Sequence, residues 1–430
     1  MKTPPHTPLI SSWMNIYPNP LNFLLEQQKR YGDIFFLNLG VTKLLVLAHP
    51  DHADYVLNQK WRNFDKSGQL YDALRLLAGN GLVGTNDYNY WLQRRRLVQP
   101  YFNHNYLPNF TTTMVISIDE ILNKIDDEIV DLKEVFGQIT MNVIVKTLFG
   151  TGIDQTKEDY LRHEASFAFD HMMISMIGSA LPLPGRRRFA RFVESLDDYI
   201  ADVIDQRQNE REPVLLDMLI NFDDDGNKLS HEDIRNEVLT FFLAGYETTA
   251  AALQWSIYYL LKEENSAIKN KMISEIESVI HSKKPEYTDM THLTLVYNVL
   301  SEAMRLRPPG FWVPRRAIVD EKIDGYHISE GTLVAVMIHL IHHHEDFWSD
   351  PFTFNPSRFS EASKHKLAFM PFSAGNRKCV GAEFALMEAV LVLTRLFQKF
   401  EVSRVDRLIK SKISTTHQTD GIHAKLRRIR

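Results

Sequence analysis

The only cysteine among 430 residues lies in Phe372-Ser373-Ala374-Gly375-Asn376-Arg377-Lys378-Cys379-Val380-Gly381. The stretch reads F-x-x-G-x-R-x-C-x-G, with residue types set at five positions. A lone cysteine in a cytosolic chain makes no structural disulfide, which leaves an inert core residue or a reactive or ligating thiol. Glycines on both sides let the backbone approach a large flat ligand and adopt positive φ. The cations before the cysteine favour thiolate over thiol. A chain carrying this loop is constrained to fold around whatever the thiolate holds.

Composition narrows the rest. At 44% hydrophobic and 24% charged, the chain is globular with enough apolar residues for a sizeable core. A net charge of -5 speaks against nucleic-acid binding, which needs a clearly basic domain. With one cysteine there is no CxxC pair, so zinc ribbons and thioredoxin-like sites are excluded. The opening Met1-Lys2-Thr3-Pro4-Pro5-His6 carries no apolar signal core. The longest greasy stretch, Val238 to Leu261, is interrupted by Glu247, Thr248 and Thr249, and reads as a buried helix instead of a membrane span. The expected location is therefore cytoplasmic, without a membrane span.

The periodicity predicts mostly helix with a small segregated β region. Pro20–Tyr31 reads as an amphipathic helix stopped by Gly32. Asp33–Leu39 and Thr42–Ala48 read as strands around Gly40. From Pro50 to Lys262 the pattern is helical, with breaks at Gly79–Asn89, Gly150–Thr156, Leu181–Gly185 and Asp223–Gly226. Ser230-His231-Glu232-Asp233 has the form of a capping box and opens the longest helix, running to about Leu261. Short β-rich runs such as Thr332–Ile338 follow Pro308, and a last helix runs from Ala382 to Phe400.

Four constellations bear on chemistry. A thiolate in a glycine-shaped loop is what axial haem ligation requires. Ala244-Gly245-Tyr246-Glu247-Thr248-Thr249 puts a glycine, an acid and two hydroxyls in the middle of the long helix. Glycine there costs about 1 kcal/mol against alanine, and the reading is a local disruption forming a groove for dioxygen and proton relay; a satisfied polar kink is the plain alternative. Glu302-Ala303-Met304-Arg305 places an acid and a base on one helix face. The pattern is common on surface helices, but Phe354-Asn355-Pro356-Ser357-Arg358-Phe359 offers a second arginine for the same carboxylate. Trp91 and Arg95, at i,i+4, present donors suited to a haem propionate.

In order, these motifs resemble the cytochrome P450 family of haem-thiolate monooxygenases, from about residue 30 to the end. The resemblance implies one P450 haem domain over residues 1–430, with 1–30 peripheral, enclosing haem b (iron protoporphyrin IX) between the long helix and the cysteine loop. It implies Cys379 as the proximal iron ligand and Thr248 and Glu247 as the oxygen-activating alcohol and acid. It implies Glu302, Arg305 and Arg358 as a stabilising triad, and Trp91, Arg95, Arg315 and Arg377 as propionate contacts, with Arg316 adjacent to Arg315. Ala244, Gly245, Phe372 and Gly381 fall where the family lines its cofactor. Ser357 departs from the family, where many members have an acid. The implied activity inserts one oxygen atom of dioxygen into a C–H bond of an apolar molecule, fatty-acid or terpenoid-like. The loops 69–89 and 167–183, rich in Leu, Met, Phe and Ile, match such a ligand. Electrons must come from a separate acidic donor, a ferredoxin or flavodoxin with its reductase. A peroxide-driven or redox-neutral haem-thiolate enzyme and a non-catalytic haem sensor are the rival readings.

Two motifs point elsewhere and fail on context. Gly79-Asn80-Gly81-Leu82-Val83-Gly84 matches a dinucleotide fingerprint, but a helical pattern precedes it and no acid follows at the required distance. His339, His342, His343 and His344 lack the spacing of a metal motif and read as a locally bonded cluster. Between Ala362 and Ala382 there is no acid, while Lys364, His365, Lys366, Arg377 and Lys378 are basic, an expected docking patch that Arg94 and Arg96 widen.

Overall fold

The computed structural model describes residues 2–9, 19–40, 42–150, 155–177, 185–207, 214–224, 227–360, 365–406 and 408–429. The expected breaks at Gly150–Thr156, Leu181–Gly185 and Asp223–Gly226 fall partly or mostly outside these residues, as do Lys364 and the end of the 167–183 loop. Helices dominate and the strands gather in small sheets. The chain divides into two compact units, Met1–Gly68 with Ser301–Cys379, and Gln69–Leu300 with Val380–Arg430.

The first unit is built on a five-stranded sheet. Its order is Ile34–Asn38, Lys43–Leu47, Leu333–Val336, Val313–Ala317 and Phe64–Asp65. Lys43–Leu47 and Leu333–Val336 pair in parallel; the other neighbours are antiparallel. Leu45, Val46 and Leu47, and Val334, Ala335 and Val336, are all buried, the signature of central strands covered on both faces. The Pro20–Tyr31 helix ends where Gly32 takes φ 85°, its N–H returning to the Gln28 carbonyl at 2.8 Å.

The second unit is organised by the helix His231–Leu260. Its 30 residues span about 45 Å at 1.5 Å each. The capping box is present: Asp233 N–H donates to Ser230 Oγ at 3.1 Å, and Ser230 N–H to Asp233 Oδ2 at 3.1 Å. It packs against Leu132–Ile144 and Ala382–Lys399. Beyond the helices, Phe400–Arg404, His423–Arg428 and Glu128–Asp131 form a three-stranded sheet, and Ser411–Ile413 pairs with His417–Thr419 in a hairpin. Among the described residues no helix is long and apolar enough to cross a membrane.

Candidate active site

The cysteine loop is shaped by its backbone. Cys379 N–H donates to Phe372 O at 3.0 Å, closing a turn inside which Lys378 N–H reaches Gly375 O at 3.1 Å. Gly375 sits at φ 76°, and a Cβ there would lie 2.0 Å from the Leu57 carbonyl oxygen, so only glycine fits. Ser373 also takes a positive φ of 64°. The loop leaves Cys379 exposed, with Phe372, Arg377 and Gly381 half-buried.

Glu302, at 0% exposure, is the hub of a buried ion network. Arg305 grips it bidentately, Nε to Oε2 at 2.7 Å and Nη2 to Oε1 at 2.9 Å. Arg358 Nε adds a bond to Oε1 at 3.0 Å, and Asn355 N–H another at 2.9 Å. The remaining guanidinium N–H groups go to main-chain carbonyls: Arg305 to His342, Pro351 and Thr353, and Arg358 to Ser349, Asp350 and Thr353. Both cations also lie over the Trp348 ring. Such a network compensates its desolvation because every partner is satisfied. Ser357 is exposed and among the described residues bonds only to Asn355, so the position where many family members have an acid lies outside the network.

The histidines are structural. His342 is fully buried; burial and the Arg305 charge hold its pKa down at about 3. His343 Nδ1–H donates to His339 O at 2.7 Å. His344 Nε2 lies 3.2 Å from Asp33 Oδ2, and His49 is nearby, so these three present ligand atoms within 4.8 Å of one another. Asp51 N–H and Asp346 N–H, however, point at Nδ1 of His49 and His344. That places the His344 proton on Nε2, facing Asp33, where a metal would need a lone pair.

On the long helix the geometry corrects one expectation. Gly245 does not interrupt the helix, which is continuous from 231 to 260. The missing side chain makes room for Ile144: a Cβ at Gly245 would lie 2.5 Å from Ile144 Cδ1. Within this largely buried helix, Ala244 is exposed and Gly245 and Thr248 are half-buried. Thr248 Oγ1 donates back to Ala244 O at 2.8 Å. Glu247 is buried, its pKa pushed up to about 7 chiefly by desolvation. It accepts a bond from Gln418 Nε2 at 3.0 Å. Thr249 is buried and faces Glu388, whose carboxyl burial holds well above the usual range.

Trp91 and Arg95 are both buried on the helix Tyr88–Val98, with Arg95 Nε donating to Gln99 Oε1 at 3.0 Å. Arg94 is buried too, paired with Asp233 Oδ2 at 3.0 Å, so it does not widen a surface patch; Arg96 is exposed. Strand alternation separates the other arginine pair: Arg315 is buried and Arg316 exposed. The Gly79–Gly84 turn follows a helix and packs on the long helix, where a Cβ at Gly81 would meet Asn236 O at 2.4 Å. Leu82 N–H there donates to Glu237 Oε2 at 3.1 Å, and burial pushes the Glu237 pKa up to about 7.

Glu237, Glu388 and Gln418 escaped sequence reasoning, whereas His342 was read as part of a locally bonded cluster and is one. Only Glu237 carried a signal, an acid set at the start of the apolar run that follows the capping box.

The donor set fits a haem. An exposed thiol stands in a loop with no room for a Cβ at Gly375. The family model for cytochrome P450 matches residues 1–421, and the chain belongs to that family. It is an oxidoreductase that incorporates oxygen from dioxygen. It is 30% identical to a pentalenene oxygenase of Streptomyces avermitilis over 93% of this chain and 90% of the relative. It is 27% identical to a cyclooctat-9-en-7-ol 5-monooxygenase of Streptomyces melanosporofaciens, over 94% and 89%. It is also 27% identical to the LUTEIN DEFICIENT 5 protein of Arabidopsis thaliana, over 93% and 72%.

Proposed function

We propose that this P450 hydroxylates an unactivated C–H bond of a terpenoid-like hydrocarbon, with haem b as its cofactor. The observation that carries the chemistry is the exposed Cys379 thiol in its glycine-shaped turn. Haem held by a thiolate supplies dioxygen activation, because thiolate donation favours O–O cleavage. Two bacterial relatives, named for pentalenene and for cyclooctat-9-en-7-ol, favour a terpenoid over a fatty acid.

In this reading Cys379 is the proximal ligand. Trp91, Arg95, Arg315 and Arg377 bind the propionates, and Ala244, Gly245, Phe372 and Gly381 line the cofactor. Thr248 orients a proton, and Glu247, poised by burial near neutrality, donates and regains it. Glu302, Arg305 and Arg358 hold the backbone that leads to the cysteine loop. The whole chain acts as one haem domain in the cytoplasm, with residues 1–30 peripheral. Electrons arrive from a separate ferredoxin or flavodoxin, drawn to exposed Lys366 and Lys378.

The test is a titration of terpenoids and fatty acids against the holoprotein, read by the Soret shift, followed by turnover of the tightest binder. Product with reduced donor and dioxygen is expected. Product with peroxide alone, and none with donor and dioxygen, would establish the peroxide-driven alternative; stable haem with no turnover would establish a sensor.

A further inference from the structure

Glu247 is held by the hairpin Ser411–Ile413/His417–Thr419. Three consecutive residues of its second strand are stitched to the long helix. Trp255 Nε1 donates to His417 O at 2.8 Å, Gln418 Nε2 donates to Glu247 Oε1 at 3.0 Å, and Gln254 Oε1 accepts both Thr419 N–H at 3.1 Å and Thr419 Oγ1 at 2.9 Å. Glu247 and Gln254 are seven residues apart, two helical turns on one face. The outer bonds fix the strand along the helix, and the middle one delivers an amide to the acid.

The other side of the hairpin is anchored separately. Lys412 pairs directly with Gln418 across the strands, so both side chains leave the same face. Lys412 Nζ bonds Asp170 Oδ2 at 3.0 Å, and Ser414 Oγ bonds Asp170 Oδ1 at 2.6 Å. Asp170 lies on the helix Gln155–Ile177. On the Leu132–Ile144 helix, Lys133 Nζ reaches Thr419 O at 3.3 Å. The charged and titratable groups facing Glu247 are thus Lys412, Asp170, Lys133 and the neighbouring Tyr246.

We propose that Gln418 is a positioning residue for Glu247. Its amide holds Oε1 and fixes the orientation of the carboxyl that carries and releases the proton. The inference rests on the reading of Glu247 as the acid of the reaction. Gln418 is itself buried, at 4% exposure, and its N–H group can only donate to the acid. A bond donated to a carboxyl favours the ionised form, so the Thr416 side chain and Gln418 both oppose the upward pull of burial.

The test uses the ferric holoprotein and follows protonated carboxyl C=O stretches by difference infrared spectroscopy against pH. The Glu247 band is assigned by its loss in Glu247→Gln, which distinguishes it from Glu237 and Glu388. Gln418→Met keeps the shape and removes the donor; it should raise the midpoint of that band by about one to two pH units. It should also lower the ratio of product to peroxide. Gln418→Asn, one methylene short, should move the midpoint the same way and serves if the Met variant fails to load haem. An unmoved midpoint in both variants overturns the proposal. A moved midpoint with parental coupling in Glu247→Gln leaves Gln418 as the holder of Glu247 and removes Glu247 from proton delivery.

Discussion

His342 bridges Arg305 and Met370. Its Nδ1–H donates to the Arg305 carbonyl at 3.2 Å, and its Nε2 accepts the Met370 N–H at 2.9 Å. Met370 O in turn accepts Ser373 N–H at 3.0 Å, so a neutral imidazole connects the buried ion network to the cysteine loop. The folded pKa of about 3 lies below the ordinary 6.5. The unfolded chain therefore takes up a proton first, and the neutral ring's contribution is complete above pH 6.5 and lost as pH falls toward 3. Acid should weaken haem retention across that window. His342→Phe should lower stability by about 1–3 kcal/mol for each main-chain group left unpaired, and its melting temperature should fall less steeply with acid than the parent's. Parallel curves would remove His342 as the acid-sensitive group.

Glu302→Ala would leave Arg305 and Arg358 facing each other without their carboxylate. Breaking a buried pair in this way costs about 3–5 kcal/mol, a large share of a domain's stability. Little soluble holoprotein is expected. Expression at parental yield with full haem loading would mean that the network relaxes at low cost.

Cys379→His should abolish the red-shifted Soret band of the reduced carbon-monoxide complex, together with monooxygenase activity. Haem content is measured alongside, because an imidazole can still hold iron. A variant with the parental spectrum would rule out thiolate ligation.

Thr248→Ala removes a hydroxyl that bonds only within its own helix turn among the contacts seen here, so folding and haem loading should be unchanged. Electrons should be diverted to peroxide several-fold. Parental coupling in this variant would show that proton delivery does not pass through Thr248.

Lys366→Glu tests the donor surface. Neighbouring His365 already pairs with Asp51 at 3.0 Å, which makes exposed Lys366 the cleaner cation. First-electron transfer from an acidic donor should slow and become less sensitive to ionic strength. Superimposable salt curves would exclude Lys366 from docking.

The parts of this fold that were legible in sequence are those whose signals are local. The Ser230–Asp233 box, the stop at Gly32 and the strands around Gly40 each lie within a few residues of what they determine. The hairpin that holds Glu247 was not legible. His417, Gln418 and Thr419 are all buried but polar, so no alternation marks their strand. Glu128–Asp131 was missed because its ladder comes from His423–Arg428, almost at the other end of the chain. Gly245 was misread because sequence does not show which side chain, here Ile144, fills the space a glycine leaves. The Glu302 site was readable as two weak motifs, but not the carbonyls that complete it.

Those carbonyls have an evolutionary consequence. Between His342 and Asn355, Arg305 and Arg358 recognise main-chain oxygens common to every amino acid, so apart from the Trp348 ring beneath them the segment is read by its path and not by its side chains. Its surface residues are free to drift, but its length is not. Deleting a single residue between Ser349 and Thr353 should therefore damage the protein more than any one surface substitution within that segment.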